Sequence, residues 1–432
     1  ANGLTTVTTW GCCGKESETR PDGQSWIYVH DMLGRTIFTA KEDGPTEAAV
    51  YDAAGNVLSK TLSGGGISLS TSNRYDLAGR LVESWDEAGL ATTTEYGERT
   101  ETVTPPGGAT ETTARLRDGK IKSITGTGVM PQHYVYGIGT DGGQWTKTYT
   151  GMTNSPMWQL VARDREGRTA RAEKPGFGGA VITNTYEYDD EGWLIRESQT
   201  GSLDNLYAYD ERGDLFRSRR DVNTNGVLDL ASMDRIQEQW SEYVLSGGNW
   251  FLQRTAISYP FDGSATPFTN SITRTQVGGS GCACEAGLEE SVDALGNVTT
   301  TQTAVDPLSK TVTKTFTRPG IANPETTVSS NGLPQTRTLP TGAEYRNLYD
   351  GLERQTGMVD PRTGTNRTVY LSNGWVDYIE DAAGYRTTFS YDVITGRRIA
   401  VTDALTNTVY TAYDVQGRVT NTWGATYPVA YE

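Results

Sequence analysis

Between Glu380 and Thr420, Thr, Val, Ile and Tyr alternate with polar residues in short runs, and turn residues cut the runs at a fixed spacing. The cuts read Glu380-Asp381-Ala382-Ala383-Gly384, Tyr391-Asp392-Val393-Ile394-Thr395-Gly396-Arg397, Thr402-Asp403-Ala404-Leu405-Thr406-Asn407 and Tyr413-Asp414-Val415-Gln416-Gly417-Arg418. Their aspartates stand eleven residues apart. Alternation rich in β-branched and aromatic residues predicts strands. Asp-x-x-Gly predicts the reversals: the carboxylate accepts backbone N–H groups further along the turn, and glycine takes the left-handed conformation that closes a short hairpin loop. One unit is then one strand and one turn, and two units make a hairpin. A short fixed period marks a repeat architecture.

The same unit recurs upstream as Tyr51-Asp52-Ala53-Ala54-Gly55-Asn56, Tyr75-Asp76-Leu77-Ala78-Gly79-Arg80, Tyr188-Asp189-Asp190-Glu191-Gly192 and Tyr209-Asp210-Glu211-Arg212-Gly213. His30-Asp31-Met32-Leu33-Gly34-Arg35 carries histidine in the tyrosine place, and Trp85-Asp86, Arg163-Asp164 and Val292-Asp293 open further copies. Tyr349-Asp350-Gly351-Leu352-Glu353-Arg354 is a decayed copy with no glycine at the fourth place. The tyrosines fall at equivalent places on successive hairpins, which predicts a ladder of stacked rings along the sheet. Asp31 to Asp52 and Asp189 to Asp210 are each 21 residues apart, one double unit.

Tyr-Asp-x-x-Gly-Arg at this spacing resembles the YD repeat of the Rhs family, which includes bacterial Rhs proteins, the shell-forming subunits of Tc toxins and the teneurins. The resemblance covers most of the chain. It implies an all-β fold in which antiparallel hairpins spiral into a hollow β-shell or part of one. The period by itself implies a repetitive hairpin array. Some bacterial relatives release a C-terminal toxin by aspartate self-cleavage, but no copy of that region is recognisable here.

Composition narrows the function. Hydrophobic residues make up 35% of the 432 and glycine accounts for 50, which suits a thin sheet with wet faces better than a large core. The net charge of −15 disfavours a phosphate-backbone partner, so nucleic acid is not expected. No apolar run reaches membrane-spanning length. Nothing at the start reads as a signal peptide; Ala1-Asn2-Gly3 reads as a mature end or a fragment boundary. The array is expected to occupy 1–432 as one unit. The pattern weakens over 100–160 and is interrupted by an irregular insertion over about 221–290, where Met233 to Trp240 gives a helical hint.

That insertion opens with a calcium-type loop, 221–234. Side-chain oxygens at Asp221, Asn223, Asn225 and Asp229 occupy places 1, 3, 5 and 9, Gly226 is at 6, and Val227 offers its carbonyl at 7. Hard Ca²⁺ takes several oxygens at once, and alternate residues of a tight loop supply them. Place 12 is Ser232, so Asp234 is the candidate closing ligand. The plain alternative is a polar turn that needs no ion. Four cysteines, Cys12, Cys13, Cys282 and Cys284, form two glycine-flanked pairs. Disulfides between or within the pairs, a Zn²⁺ site and free thiols all remain open, with zinc weakened by spacing unlike Cys-x-x-Cys. Calcium and disulfides together point to an extracellular or cell-surface setting.

No nucleophile elbow, zinc-protease helix or phosphate loop occurs, so no enzyme activity is expected. The expected role is structural: enclosing a cavity or presenting a rigid surface. The partners would be the remainder of a longer chain or further copies joined through strand edges. The alternatives are an adhesion or glycan-binding module and a subunit of an extracellular filament or lattice.

Overall fold

A computed structural model describes residues 5–278, apart from 228, 231 and 264, and residues 287–431. These residues form one sheet of 37 described strands. Each strand pairs antiparallel with the next in sequence, from Val7–Trp10 on Lys15–Thr19 to Val419–Gly424 on Val429–Ala430. The only helical element among them is a 3₁₀ turn at Phe177–Gly179, so no helix is long enough to cross a membrane.

The repeat motif dictates this meander. At Asp31 the backbone N–H bonds to the Arg35 carbonyl, and the Gly34 N–H returns to the Asp31 carbonyl. This is a tight turn closed by a left-handed glycine, with Gly34 at φ 76°. The pairing register shifts by one residue at the end of the strand, between Val50 and Tyr51, Arg74 and Tyr75, Glu187 and Tyr188, Ala208 and Tyr209, Ser390 and Tyr391, and Ala412 and Tyr413. The bulge strengthens the local twist. Repeated hairpin after hairpin, it coils the sheet.

The wall is thin. Accessible surface is 25961 Å² for 47.0 kDa, against roughly 16,000 Å² for a compact monomer of that mass. Apolar residues buried on both sides are scarce. Among the described residues the one cluster is Ile236, Ile257 and Tyr259, with Leu230 of the 221–234 loop packed on it.

The segment over 221–290 differs from the expectation. Beyond the 221–234 loop it supplies the longest described strands of the sheet, Arg235–Ser246, Asn249–Tyr259 and Phe268–Gly278. The helical hint at Met233 to Trp240 is strand from Arg235 onward. Pairing with Asn249–Tyr259, from Ile236 opposite Tyr259 to Ser246 opposite Asn249, overrides the local spacing of apolar residues.

Because neighbouring strands run oppositely, the turns alternate between two rims of the sheet. One rim carries the turns at 31–34, 52–55 and 76–79 and, much later, those at 307–310, 331–332, 350–353 and 392–396. The opposite rim carries 20–24, 41–45, 64–66, 86–89 and 105–108.

Candidate functional site

Every repeat turn is built around its aspartate. Asp76 Oδ1 accepts the N–H groups of Ala78 and Arg80, each at 2.9 Å, and Oδ2 accepts Arg80 Nε at 2.8 Å. Where asparagine ends the unit its amide takes the same place: Asn56 on Asp52, Asn297 on Asp293 and Asn407 on Asp403. This explains why the unit ends in Arg or Asn, since both reach back to the free carboxylate oxygen. These bonds hold the carboxyl groups below their ordinary range. At Asp52, Asp293 and Asp403 the asparagine amide contributes most, and at Asp76 the Arg80 N–H does. At Asp31, Asp164 and Asp414 burial pushes upward, and the arginine bonds outweigh it.

The tyrosines do not stack on one another as expected. Each hydroxyl instead donates to a backbone carbonyl of an earlier strand: Tyr51 to Thr36, Tyr75 to Val57, Tyr188 to Thr169, Tyr209 to Leu194, Tyr391 to Val376 and Tyr413 to Arg398. Five of these six rings are covered by the last residue of the preceding turn on the same rim. Arg35 lies over Tyr51, Arg168 over Tyr188 and Arg397 over Tyr413, while Trp193 packs on Tyr209 and Trp375 on Tyr391. The bulge and the intervening turn set the spacing, so a cation or a tryptophan fills the gap between tyrosines. His30 does the same work as tyrosine: Nε2 donates to the Lys15 carbonyl at 2.8 Å. Tyr391→Ala removes both the hydroxyl bond and the Trp375 contact. It should lower stability by about 2–3 kcal/mol, and Tyr391→Phe by about 1 kcal/mol. Urea unfolding reads both, and an unchanged midpoint for the alanine variant would contradict this role.

The second feature was not anticipated. The coil brings the second rim of the first strands against the first rim of strands 267–312 residues later. Lys41 Nζ reaches Glu353 Oε1 at 2.6 Å and the Asn331 carbonyl at 2.7 Å. Asn331 Nδ2 donates to the carbonyls of Glu42 and Asp43. Lys310 Nζ pairs with Asp43 at 2.6 Å and Glu42 at 3.2 Å. Gln24 and Leu352 are buried there, and a methyl group added at Gly64 or Gly351 would overlap the backbone of the other turn.

This seam accounts for the decayed repeat. Gly351 stands where a side chain is usual, because the backbone of Gly64 and Gly65 lies against it. Glu353 stands where glycine is usual, because its carboxylate is needed by Lys41. Glu353 accepts φ 63° to do so, and Asp43, Lys310 and Asn331 hold φ of 55°, 53° and 49°. A side chain in this region costs on the order of 1 kcal/mol. Four of the seven left-handed non-glycine residues among the described ones therefore meet at one contact. The readable signal was a charged or amide residue in the glycine place of a turn.

The structure brings the calcium-type loop into a compact knot. Asp221 Oδ2 accepts the Gly226 N–H at 2.8 Å, Asn223 Oδ1 the Asn225 N–H at 3.0 Å, and Asn225 Oδ1 the Val227 N–H at 2.9 Å. Asp234 Oδ1 takes the N–H groups of Val222 and Asn223, and Oδ2 takes Asn223 Nδ2 and the Ser232 hydroxyl. Asp234 thus staples the loop shut. Asp229 faces Asn225 Nδ2 at 2.8 Å through Oδ2. Burial is the largest influence on Asp221 and pushes its carboxyl up, but the Gly226 N–H and the Arg219 guanidinium bring it below the ordinary range. Arg219 enters from the preceding strand, Leu215–Arg220, and its side chain is wholly buried. Among the described residues no three His, Cys, Asp or Glu side chains form a ready metal cluster.

Cys12 and Cys13 are exposed thiols with sulfurs 3.0 Å apart and no bond between them. Cys282 and Cys284 lie outside the described residues, and with them any bridge between the two pairs.

A coiled antiparallel sheet with Tyr-Asp turns, cation-covered rings and rims that meet one turn later has the fold of a YD-repeat β-shell. Solved structures with this fold include parts of Tc toxin assemblies. The chain superposes on a structure of the Photorhabdus luminescens Tc holotoxin pore with a TM-score of 0.50 and 13% identity, over 98% of this chain and 22% of that one. A TcdB2–TccC3 crystal structure lacking the hypervariable C-terminal region gives 0.49 and 12%, again over 98% and 22%. The chain therefore spans about a fifth of the length of either. No family model and no curated protein matches the sequence.

Proposed function

We propose that this chain is a non-enzymatic wall segment of an extracellular hollow shell that encloses a cavity. The observation that carries the reading is the seam: rims that clasp each other after 267–312 residues bring the sheet back upon itself, as a wall around a space would. The large accessible surface agrees, because a wall with two solvated faces exposes more than a solid domain. The outermost described strands, Val7–Trp10 and Val429–Ala430, pair on one side only. An unpaired strand edge is a surface on which further repeats, of a longer chain or of another copy, could add. Glycine turns, carboxylate-capped hairpins and cation-covered rings serve rigidity, and rigidity is what a container needs. The calcium-type spacing of the 221–234 loop suits an extracellular setting. Electron microscopy of the purified chain tests the proposal. A curved wall around an empty lumen is expected; a solid particle without a lumen would refute enclosure.

A further inference from the structure

We propose that the 221–234 loop is a calcium site whose metal-free state is held in shape by Arg219, and that Ca²⁺ binds by displacing the guanidinium. Arg219 Nη2 sits 2.8 Å from Asp221 Oδ1, 3.1 Å from Asn225 Oδ1 and 2.9 Å from Asp234 Oδ2. Two of these oxygens belong to places 1 and 5 of the loop, the places whose side chains point at the ion in loops of this spacing. The guanidinium nitrogen is a stand-in cation.

Three further observations show that it is an imperfect one. Arg219 is wholly buried, yet its Nε and Nη1 have no partner. Asp229 Oδ1 is buried beside it and also has no partner. Three of the five orphaned buried side-chain atoms among the described residues thus lie in this one knot. Buried groups left unpaired are costly, and a missing ion or water is the usual reason for them. The charge is also incomplete. Asp221, Asp229 and Asp234 bring three carboxylates against one guanidinium, and a divalent cation in its place would offset one more of them.

The ligand set that follows differs from the one the spacing suggests. Asp234 already accepts bonds on both oxygens from the loop's own backbone and side chains, so it positions the loop. Asp221 Oδ1 and Asp229 Oδ1 are the oxygens free to bind once Arg219 withdraws, Asn225 Oδ1 keeps the Val227 N–H on one lone pair and has the other to offer, and water completes the shell. Calcium suits them because it accepts six to eight hard oxygens in flexible geometry, whereas Mg²⁺ demands a near-ideal octahedron. Competition from Arg219 and the neutral Asn225 keep affinity weak, about 10⁻⁴ to 10⁻³ M.

Calorimetric titration of the full chain with CaCl₂ alone, after chelation, tests this, with thermal unfolding followed in parallel. The wild type is expected to bind one ion weakly, with MgCl₂ giving no comparable heat. Arg219→Ala should bind at least about tenfold more tightly, because the competing cation is gone. Its unfolding temperature should fall in chelator and recover with calcium. Asp229→Asn, at a partly exposed position whose change leaves the Arg219 contacts intact, should lose binding while remaining folded. Absence of a calcium heat in both the wild type and Arg219→Ala would overturn the site. Equal affinity in those two would overturn the displacement. Unaltered binding by Asp229→Asn would place the ion elsewhere.

Discussion

Gly351→Val is expected to open the seam. The new side chain would enter the backbone of Gly64 and Gly65, which has no flexible end to yield. Gly351 is not among the left-handed glycines, so the effect is steric and not a matter of turn conformation. Overpacking of this kind costs about 2–3 kcal/mol. The loss should be local: amide hydrogen exchange should rise at 41–45, 64–66, 331–332 and 350–353 and stay unchanged at the repeat turns around 164–168 and 210–214. Ala383→Val, on an exposed turn, should change stability by no more than about 0.5 kcal/mol. Unchanged exchange in Gly351→Val would mean that the two rims are not in contact.

Acid should unfold the sheet as a whole. The carboxyl groups of Asp52, Asp76, Asp210, Asp293, Asp403 and others are held below their unfolded values by turn N–H groups and by Arg or Asn side chains. A depressed folded pKa contributes stability above the unfolded value, and that stability is lost as pH falls through the folded value. Stability should therefore be flat from neutral pH down to about 5 and fall steeply below about 4, where free aspartate begins to protonate. Many equivalent turns titrate together, so the transition should be steep. Unfolding temperatures from pH 7 to pH 2 read this directly. A decline already complete at pH 5 would point to other groups, and no decline by pH 2 would mean that the aspartates do not hold the turns.

The local grammar was legible because it is local. Asp-x-x-Gly, the alternation between turns and the tyrosine place, with His30 as its substitute, are each decided within a few residues by turn geometry and strand period. What covers a tyrosine was not legible, because it depends on the one-residue bulge that brings Arg35 or Trp375, and not a second tyrosine, onto the next ring. The extended course of 235–246 was hidden because pairing with a distant strand decides it. The seam was least visible. Its partners are nearly 300 residues apart, at a distance set by how far each bulge turns the sheet, and no sequence period records that angle. Its trace was nevertheless present in the copy that looked decayed. Gly351 and Glu353 break the motif because a second turn of the coil rests on them. In the calcium-type loop the oxygen places were readable, but Arg219 was not, since it precedes the loop and enters from the strand.

The most direct test of the coil is zero-length carbodiimide cross-linking of the dilute chain, read by peptide mass spectrometry. Lys41 with Glu353 and Lys310 with Asp43, each at 2.6 Å, should form amide links across 312 and 267 residues. Local pairs such as Lys15 with Glu18 and Lys60 with Glu47 serve as internal controls. Recovery of the long-range links within a single chain is the result the coiled wall predicts. Recovery of the local links alone would mean that the sheet does not return upon itself and encloses nothing.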